Sequence, residues 1–143
     1  MEKKQESLIV DATMENLDVV MGYVEKQLES EACPLKISRQ ICVSLEEIYV
    51  NVVNYAYGND VGKCEIHSKI ETYDNEKQLI LSVKDKGIPF NPLEREDPDI
   101  TLSVEERQIG GLGIYMVKKS MDEVTYENIS GYNILTIQKK WKI

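Results

Sequence analysis

The chain has 143 residues, of which 42% are hydrophobic and 29% charged, so length and composition fit one folded domain and exclude a disordered chain. The formal net charge of −8 and the lack of a basic cluster argue against nucleic acid as a partner. No apolar run approaches the roughly 18 residues of a membrane-spanning helix, and no apolar segment of a signal peptide follows the charged N-terminus. We therefore expect a cytoplasmic protein that does not bind a membrane.

The first half of the chain predicts a strand and two helices. SLIVDA (7–12) is typical of a short strand, and the hydroxyl of Thr13 can cap a helix that runs to about Ser30. Pro34 opens a second, longer helix, whose apolar stripe ends near Tyr57.

The second half predicts two hairpins, a long loop and a third helix. Residues 64–72 and 78–85 form the first hairpin, and residues 123–128 and 133–141 form the second. An acidic, proline-containing stretch at about 91–110 is long for a connection in a compact domain and is typical of a lid. The third helix covers roughly 112–121. This order predicts a single domain, 1–143, built as a two-layer α/β sandwich with helices on one sheet face.

The cysteines and the one histidine do not predict a metal site. Cys33, Cys42 and Cys64 are widely spaced and form no C-x-x-C pair, and His67 falls in the middle of a predicted strand. We expect free thiols, as in a reducing compartment, and no structural zinc site.

The second predicted helix carries a polar stripe of Glu47, Asn51 and Asn54, since residues three or four apart share a helix face. The stripe lies beside the apolar one, so we expect it to be partly buried. An amide oxygen is a reasonable ligand for Mg²⁺ that also binds phosphate oxygens, and a carboxylate one turn earlier could activate a hydroxyl or a water. In isolation, these residues are also typical of a solvated helix face.

The second motif is DKGIPFNP (85–92), which follows a predicted strand. The carboxylate of Asp85 can accept a hydrogen bond from the amino group of a flat heterocycle, and Gly87 would let the backbone approach the ring. Alone, the motif also fits an ordinary turn that leaves a strand.

The third motif, GGLGIYMV (110–117), opens the third helix. Clustered glycines expose backbone amides, and the helix N-terminus adds partial positive charge, so the segment could hold phosphate oxygens. It lacks the lysine of a Walker P-loop, and alone it could be a flexible hinge.

In this order the motifs resemble the N, G1 and G2 boxes of the superfamily that joins gyrase, heat-shock chaperone, histidine kinase and mismatch-repair ATPases. The chain is most similar to the anti-sigma-factor serine kinase branch. SLEEIYVNVVNYAY (44–57) resembles its E-x-x-x-N-x-x-x-H-[AG]-Y, DKGIPFNP its D-x-G-x-P-F-[DN]-P, and GGLGIYMVK (110–118) its G-G-x-G-[IL]-x-[LM]-[VI]. The resemblance runs from about Val10 to the C-terminus. It implies the histidine-kinase-like ATPase fold, with three helices on one face of a mixed, mostly antiparallel sheet.

The resemblance also implies a site for ATP and Mg²⁺. Asn51 would ligate the metal, Glu47 would be the general base with Glu46 a less well placed alternative, and Asp85 with Gly87 would bind adenine. The remaining nucleotide-binding residues would contact the phosphates or complete the site: Asn54, Arg107, Gly111, Leu112 and Gly113. Two features depart from the branch, namely Tyr55 at a position that is often histidine and the acidity of the lid.

The implied function is a serine/threonine kinase that phosphorylates an anti-sigma-factor antagonist and alternately binds a sigma factor, possibly as a homodimer. The alternative is a nucleotide-gated binding module that transfers no phosphate. The catalytic piece of a sensor histidine kinase fits less well, because only about ten residues precede the first predicted helix.

Overall fold

The structure, a computed structural model, describes residues 2–94 and 112–143. The strands of the described chain form one sheet in the order β1-β2-β3-β5-β4. Their bounds are β1 (Glu2–Asp11), β2 (Lys63–Tyr73), β3 (Glu76–Asp85), β4 (Glu123–Ile129) and β5 (Tyr132–Lys142).

Each neighbouring pair of these five strands is antiparallel, so they do not include the parallel pairing that a mixed sheet would have. The β2–β3 pair and the β4–β5 pair are each joined by a short turn, and such a turn can join only antiparallel strands. The β4–β5 turn contains Ser130 and Gly131, between the two predicted strands of the second hairpin, and both residues have positive φ (54° and 83°).

The described helices are α1 (Leu17–Ser30), α2 (Leu35–Tyr55) and α3 (Leu112–Ser120), with short 3-10 helices at Met14–Asn16 and Pro92–Glu94. They cover one sheet face, as predicted, and the core lies between the two layers. Buried residues alternate along β2 and β3, and the fully buried Ile66 and Leu81 of the sheet belong to the same apolar cluster as Val24 and Leu45 of the helices. None of the helices in the described ranges is both long and apolar enough to cross a membrane.

Two predictions about the N-terminal segment were wrong. Strand β1 begins at Glu2 rather than at residue 7, because its polar first half pairs with β2 at the sheet edge, where no apolar alternation is required. The Thr13 side chain makes no capping hydrogen bond. The hydroxyl of Tyr49 holds this turn instead, donating to Thr13 O (2.7 Å) and accepting from Thr13 N (3.2 Å).

The histidine lies in a strand, as predicted, and the cysteines are not paired with one another. Cys33, Cys42 and Cys64 are free thiols. His67 lies within β2 between the buried Ile66 and Ser68, so strand alternation directs it to the sheet face opposite the helices.

Candidate functional site

A recess opens between the C-terminal half of α2 and the adjacent ends of β3, β4 and β5. It has about 420 Å³ of space that is open to solvent. Its walls are mainly apolar, with Ile48 and Val52 from α2 and Val83 and Leu135 from the sheet, and the polar side chains of Asn51, Asp85 and Asn133 also face it. A mostly apolar cleft with a few placed polar groups is the usual form of a small-molecule site.

Asp85 is the last residue of β3, and only 6% of its surface is exposed. Its Oδ1 atom accepts hydrogen bonds from Gly87 N (2.9 Å) and from Asn133 Nδ2 (2.9 Å). Within residues 2–94 and 112–143, no hydrogen bond reaches the second oxygen, Oδ2. Because Asp85 lines the recess, a ligand that presents an N–H group there could donate it to this carboxylate.

Asn133 holds Asp85 in place, and the sequence motifs did not identify it. It lies on β5 opposite Asp85, and its Nδ2 also donates to Ile88 O (3.0 Å). Its Oδ1 accepts from Phe90 N (3.3 Å) and from the Tyr126 hydroxyl. One signal was present in the sequence, because Asn133 is in phase with the inward-facing Leu135 and Ile137 and is therefore a polar residue at a core position.

Gly87 packs closely against the end of α2. A Cβ atom at this position would lie 2.2 Å from the Ala56 carbonyl oxygen, and the adjacent Ile88 N donates to that same oxygen (2.8 Å). The turn after β3 therefore packs directly on the end of α2. This contact brings Asp85 beside the residues that α2 contributes to the recess.

Two aromatic rings, those of Tyr55 and Phe90, line the recess with about half and two-fifths of their surfaces exposed (50% and 39%). Their centroids are 5.8 Å apart, which is a typical separation for an aromatic pair. Tyr55 occupies a position that is often histidine in the anti-sigma-factor serine kinase branch, which the chain resembles. The substitution places a large apolar surface at the recess, where a flat heterocycle could pack.

The polar stripe of α2 is divided by the fold. Asn51 is half-buried and faces the recess, and Glu47, one turn closer to the N-terminus of α2, lies in a neighbouring groove. Asn54 is exposed and does not line the recess, contrary to the expected partial burial. Around the helix axis, Asn54 lies about 60° from Asn51 in the direction away from Val52 and Tyr55, which face the recess.

Glu47 lies against the first turn of α3. A Cβ atom at Gly113 would lie 2.1 Å from Glu47 Oε2, so the carboxylate occupies the space that a side chain would take. The partial positive charge of a helix N-terminus favours a carboxylate at this place. The structure thus brings together residues that are more than sixty positions apart and that the sequence assigned to one site.

Some of the predicted site residues lie outside the described part of the chain. Arg107 and Gly111 lie outside the described residues, as does the predicted lid beyond Glu94, and Leu112 is the first residue of α3. Within the described chain, no group of three or more His, Cys, Asp or Glu residues could hold a metal by itself. A cation at Asn51 would therefore need further ligands from a bound molecule, as Mg²⁺ commonly takes from phosphates and water.

Comparisons with known proteins agree on one family. Residues 10–139 match the model described as the histidine kinase-like ATPase domain. Similar curated proteins include "Serine-protein kinase RsbW" from Bacillus thuringiensis (strain Al Hakam), 26% identical over 129 residues that cover 89% of this chain and 73% of that protein. The protein of the same name from Bacillus velezensis is 27% identical over 128 residues, covering 88% and 73%.

A solved structure is similar in fold. The crystal structure of the RsbU and RsbW domains of Rv1364c from Mycobacterium tuberculosis matches with a TM-score of 0.63 at 16% identity. The match covers 95% of this chain but 32% of the other, so the chain spans about a third of that protein's crystallised length. At this identity the likeness establishes the fold alone.

Proposed function

The chain belongs to the histidine kinase-like ATPase domain family, and we propose that it binds ATP in the recess and transfers the γ-phosphate to a serine or threonine of a partner protein. The observation that carries the proposal is the buried Asp85 carboxylate, which accepts two hydrogen bonds at Oδ1 and lines the recess. The relatives named serine-protein kinase support the choice of reaction.

In this proposal the recess binds the adenine ring. The exocyclic amino group of adenine donates to Asp85 Oδ2, while the ring packs against Tyr55, Phe90 and the apolar walls. A charge-assisted hydrogen bond is stronger than a neutral one, and it sets the orientation of the base in a mostly apolar cleft.

The phosphates extend from the recess along α2 towards the N-terminus of α3. Asn51 would hold Mg²⁺ together with phosphate oxygens, and when bound there the cation supplies positive charge that neutralises the phosphates. The backbone amides at Gly111, Leu112 and Gly113 would meet the phosphate oxygens, since the helix N-terminus favours anions. Arg107 would contact the terminal phosphate or the partner, and Asn54 would reach the phosphates only from outside the recess, where its side chain is exposed.

Glu47 is the proposed general base. As the acceptor hydroxyl oxygen bonds to the γ-phosphorus, its proton passes to the Glu47 carboxylate, and the bond between the γ-phosphorus and the bridging oxygen breaks to leave ADP. Glu46 is exposed and does not line the groove in which Glu47 lies, so it is the weaker candidate.

The resemblance in the motifs implies the partners, and the name shared by the relatives supports the kinase reaction. We infer that the acceptor is an anti-sigma-factor antagonist, that a sigma factor is bound alternately with it, and that the kinase acts in the cytoplasm, with a homodimer as its expected state. The net charge of −8 is consistent with partners that present basic groups.

Titration with ATP and Mg²⁺ tests the adenine site. Asp85→Asn replaces a charged acceptor, which is worth about 1.5–3 kcal/mol and should weaken ATP binding roughly tenfold to hundredfold. Asp60→Asn, in the exposed loop after α2, is the matched control and should bind ATP as the wild type does. An unchanged affinity in Asp85→Asn would remove the adenine assignment.

Incubation with labelled ATP and purified candidate antagonists tests the reaction. Glu47→Gln should keep ATP affinity and lose transfer, whereas Glu46→Gln should keep both. Full transfer by Glu47→Gln would rule out its role as the base. A stable complex of wild-type protein, antagonist and intact ATP would instead indicate the nucleotide-gated binding module.

A further inference from the structure

A groove runs between α2 and α3 next to the recess. It has about 790 Å³ of space open to solvent, and its lining includes Val43, Ser44 and Glu47 of α2 and Gly113, Met116 and Ser120 of α3. The groove therefore contains the carboxylate of Glu47, whereas the recess contains Asp85 and Asn51.

The groove exposes an apolar side chain on each wall. Val43 is 56% exposed on α2, and Met116 is 48% exposed on α3. A single exposed apolar residue is ordinary, but two in one groove beside a polar site form a surface that a partner can cover. Methionine is flexible and polarizable, which suits a wall that must adapt to a partner's side chain.

The order of residues along α2 relates the groove to the recess. Ala56 and Asn51 line the recess, Glu47 lies one turn further towards the N-terminus, and Val43 follows after another turn. At a rise of 1.5 Å per residue, Glu47 is about 6 Å along the helix axis from Asn51, and Val43 about 6 Å beyond Glu47. A nucleotide whose base lies at Asp85 and whose phosphates pass Asn51 would thus point its terminal phosphate towards Glu47. The groove continues on the far side of that carboxylate.

We propose that this groove receives the acceptor segment of the partner protein, with the serine or threonine hydroxyl at Glu47 and an apolar side chain of the segment between Val43 and Met116. The inference rests on the proposed kinase function. A general base must be within hydrogen-bond reach of the hydroxyl that it deprotonates, and the groove is an open surface that Glu47 lines. The groove thereby selects acceptor sites that carry an aliphatic or aromatic residue close to the phosphorylated hydroxyl.

Steady-state transfer from ATP to a purified anti-sigma-factor antagonist tests the proposal in variants of the full chain. Val43→Glu and Met116→Glu place a charge on either wall without touching the core, and Ile129→Glu is the matched control on β4, where the replaced side chain is 52% exposed. Both groove variants should raise KM for the antagonist about tenfold or more, with kcat at saturation and ATP affinity near the wild-type values. Met116→Leu keeps an apolar side chain on this wall and should have the wild-type KM. Thermal melting checks that each variant is folded.

The outcomes separate the two proposals. If the wild type transfers phosphate and both groove variants match Ile129→Glu, the groove does not bind the acceptor and the kinase function stands. If the groove variants lower ATP affinity instead of raising KM for the antagonist, the groove belongs to the nucleotide site and the proposal is overturned. If the wild type binds ATP but transfers to no antagonist, the kinase function fails and the acceptor groove fails with it.

Discussion

The carboxylate of Glu47 and the α-carbon of Gly113 are in direct contact, because a Cβ atom at position 113 would lie 2.1 Å from Glu47 Oε2. The first turn of α3 therefore packs directly against the carboxylate of the proposed general base. The absence of a side chain at Gly113 is what allows this, and the position of the carboxylate depends on it.

Gly113→Ala should separate folding from catalysis. The atom that the new methyl group meets is the end of a flexible side chain, so Glu47 can rotate away, and alanine favours the helix by about 0.5–1 kcal/mol over glycine. Stability in urea should therefore change little. Transfer should fall about 10- to 100-fold, because a displaced base loses its alignment with the acceptor. Unfolding curves and single-turnover transfer measure the two effects, and unchanged transfer would show that the contact does not position Glu47.

Gly87→Ala should have the opposite pattern. The atom that a methyl group would meet at 2.2 Å is the backbone oxygen of Ala56, which also accepts from Ile88 N and cannot rotate away. We expect a loss of about 1–3 kcal/mol in the free energy of unfolding, as for other overpacked sites. Gly22→Ala is the control, since nothing lies within 4 Å of a Cβ atom there, and it should be neutral or slightly stabilising. Equal stability of Gly87→Ala and wild type in urea would contradict the close packing of this turn on α2.

Asn133→Ala should weaken both the fold and the nucleotide site. The change removes the donor to Asp85 Oδ1 and the acceptor for Phe90 N, which leaves buried polar groups without partners. We expect a loss of about 2 kcal/mol in stability and roughly tenfold weaker ATP binding. Asn128→Ala removes an exposed neighbour that donates to Asn133 Oδ1 (3.2 Å) and serves as the control. If ATP affinity in Asn133→Ala equals that of the control, Asn133 does not position Asp85.

The parts of the site that the sequence predicted are those in which the determining pattern is local. Glu47 and Asn51 were identified from helical spacing within a few residues, and Asp85 from its place at the end of a predicted strand. Asn54 satisfies the same spacing and yet faces away, because the direction of the recess depends on the sheet beneath the helix. Helical periodicity identifies a stripe but not the side of it that faces a cavity.

Features that depend on contacts distant in sequence were not predicted. Asn133 is 48 positions from Asp85 and meets it only because β5 pairs with β3 in this register. The sequence suggested that Gly87 lets the backbone approach a ring, and the fold adds a requirement for glycine that was not predicted, the close contact with the end of α2. Strand pairing and helix–turn packing of this kind are set by the whole core. A motif can therefore point to a residue such as Gly87 without showing which contact in the fold requires it.

Glu31 gives a prediction about pH, because it is a buried carboxylate that joins three elements. It follows the last residue of α1, is 6% exposed, and lies 2.7 Å from Lys4 Nζ on β1 and 2.9 Å from Lys77 Nζ on β3. Burial by itself would raise the pKa of Glu31, but the hydrogen bonds from Lys4 and Lys77 outweigh it, so its pKa lies below the ordinary value of 4.5. A carboxyl group whose pKa is lowered by folding stabilises the protein above its unfolded pKa, and that contribution disappears as the pH falls through the folded value.

Glu31→Gln should therefore cost about 3 kcal/mol at neutral pH, since breaking a buried ion pair leaves charge without a partner. The difference from wild type should shrink as the pH falls below about 4.5, because protonation removes the same charge in the wild type. Urea unfolding from about pH 6 to about pH 3 measures both effects. Glu29→Gln, on the exposed side of the same helix, should stay within about 0.5 kcal/mol of wild type throughout. If the difference in unfolding free energy between Glu31→Gln and wild type did not change with pH, the ionised Glu31 carboxylate would not be what stabilises α1 on the sheet.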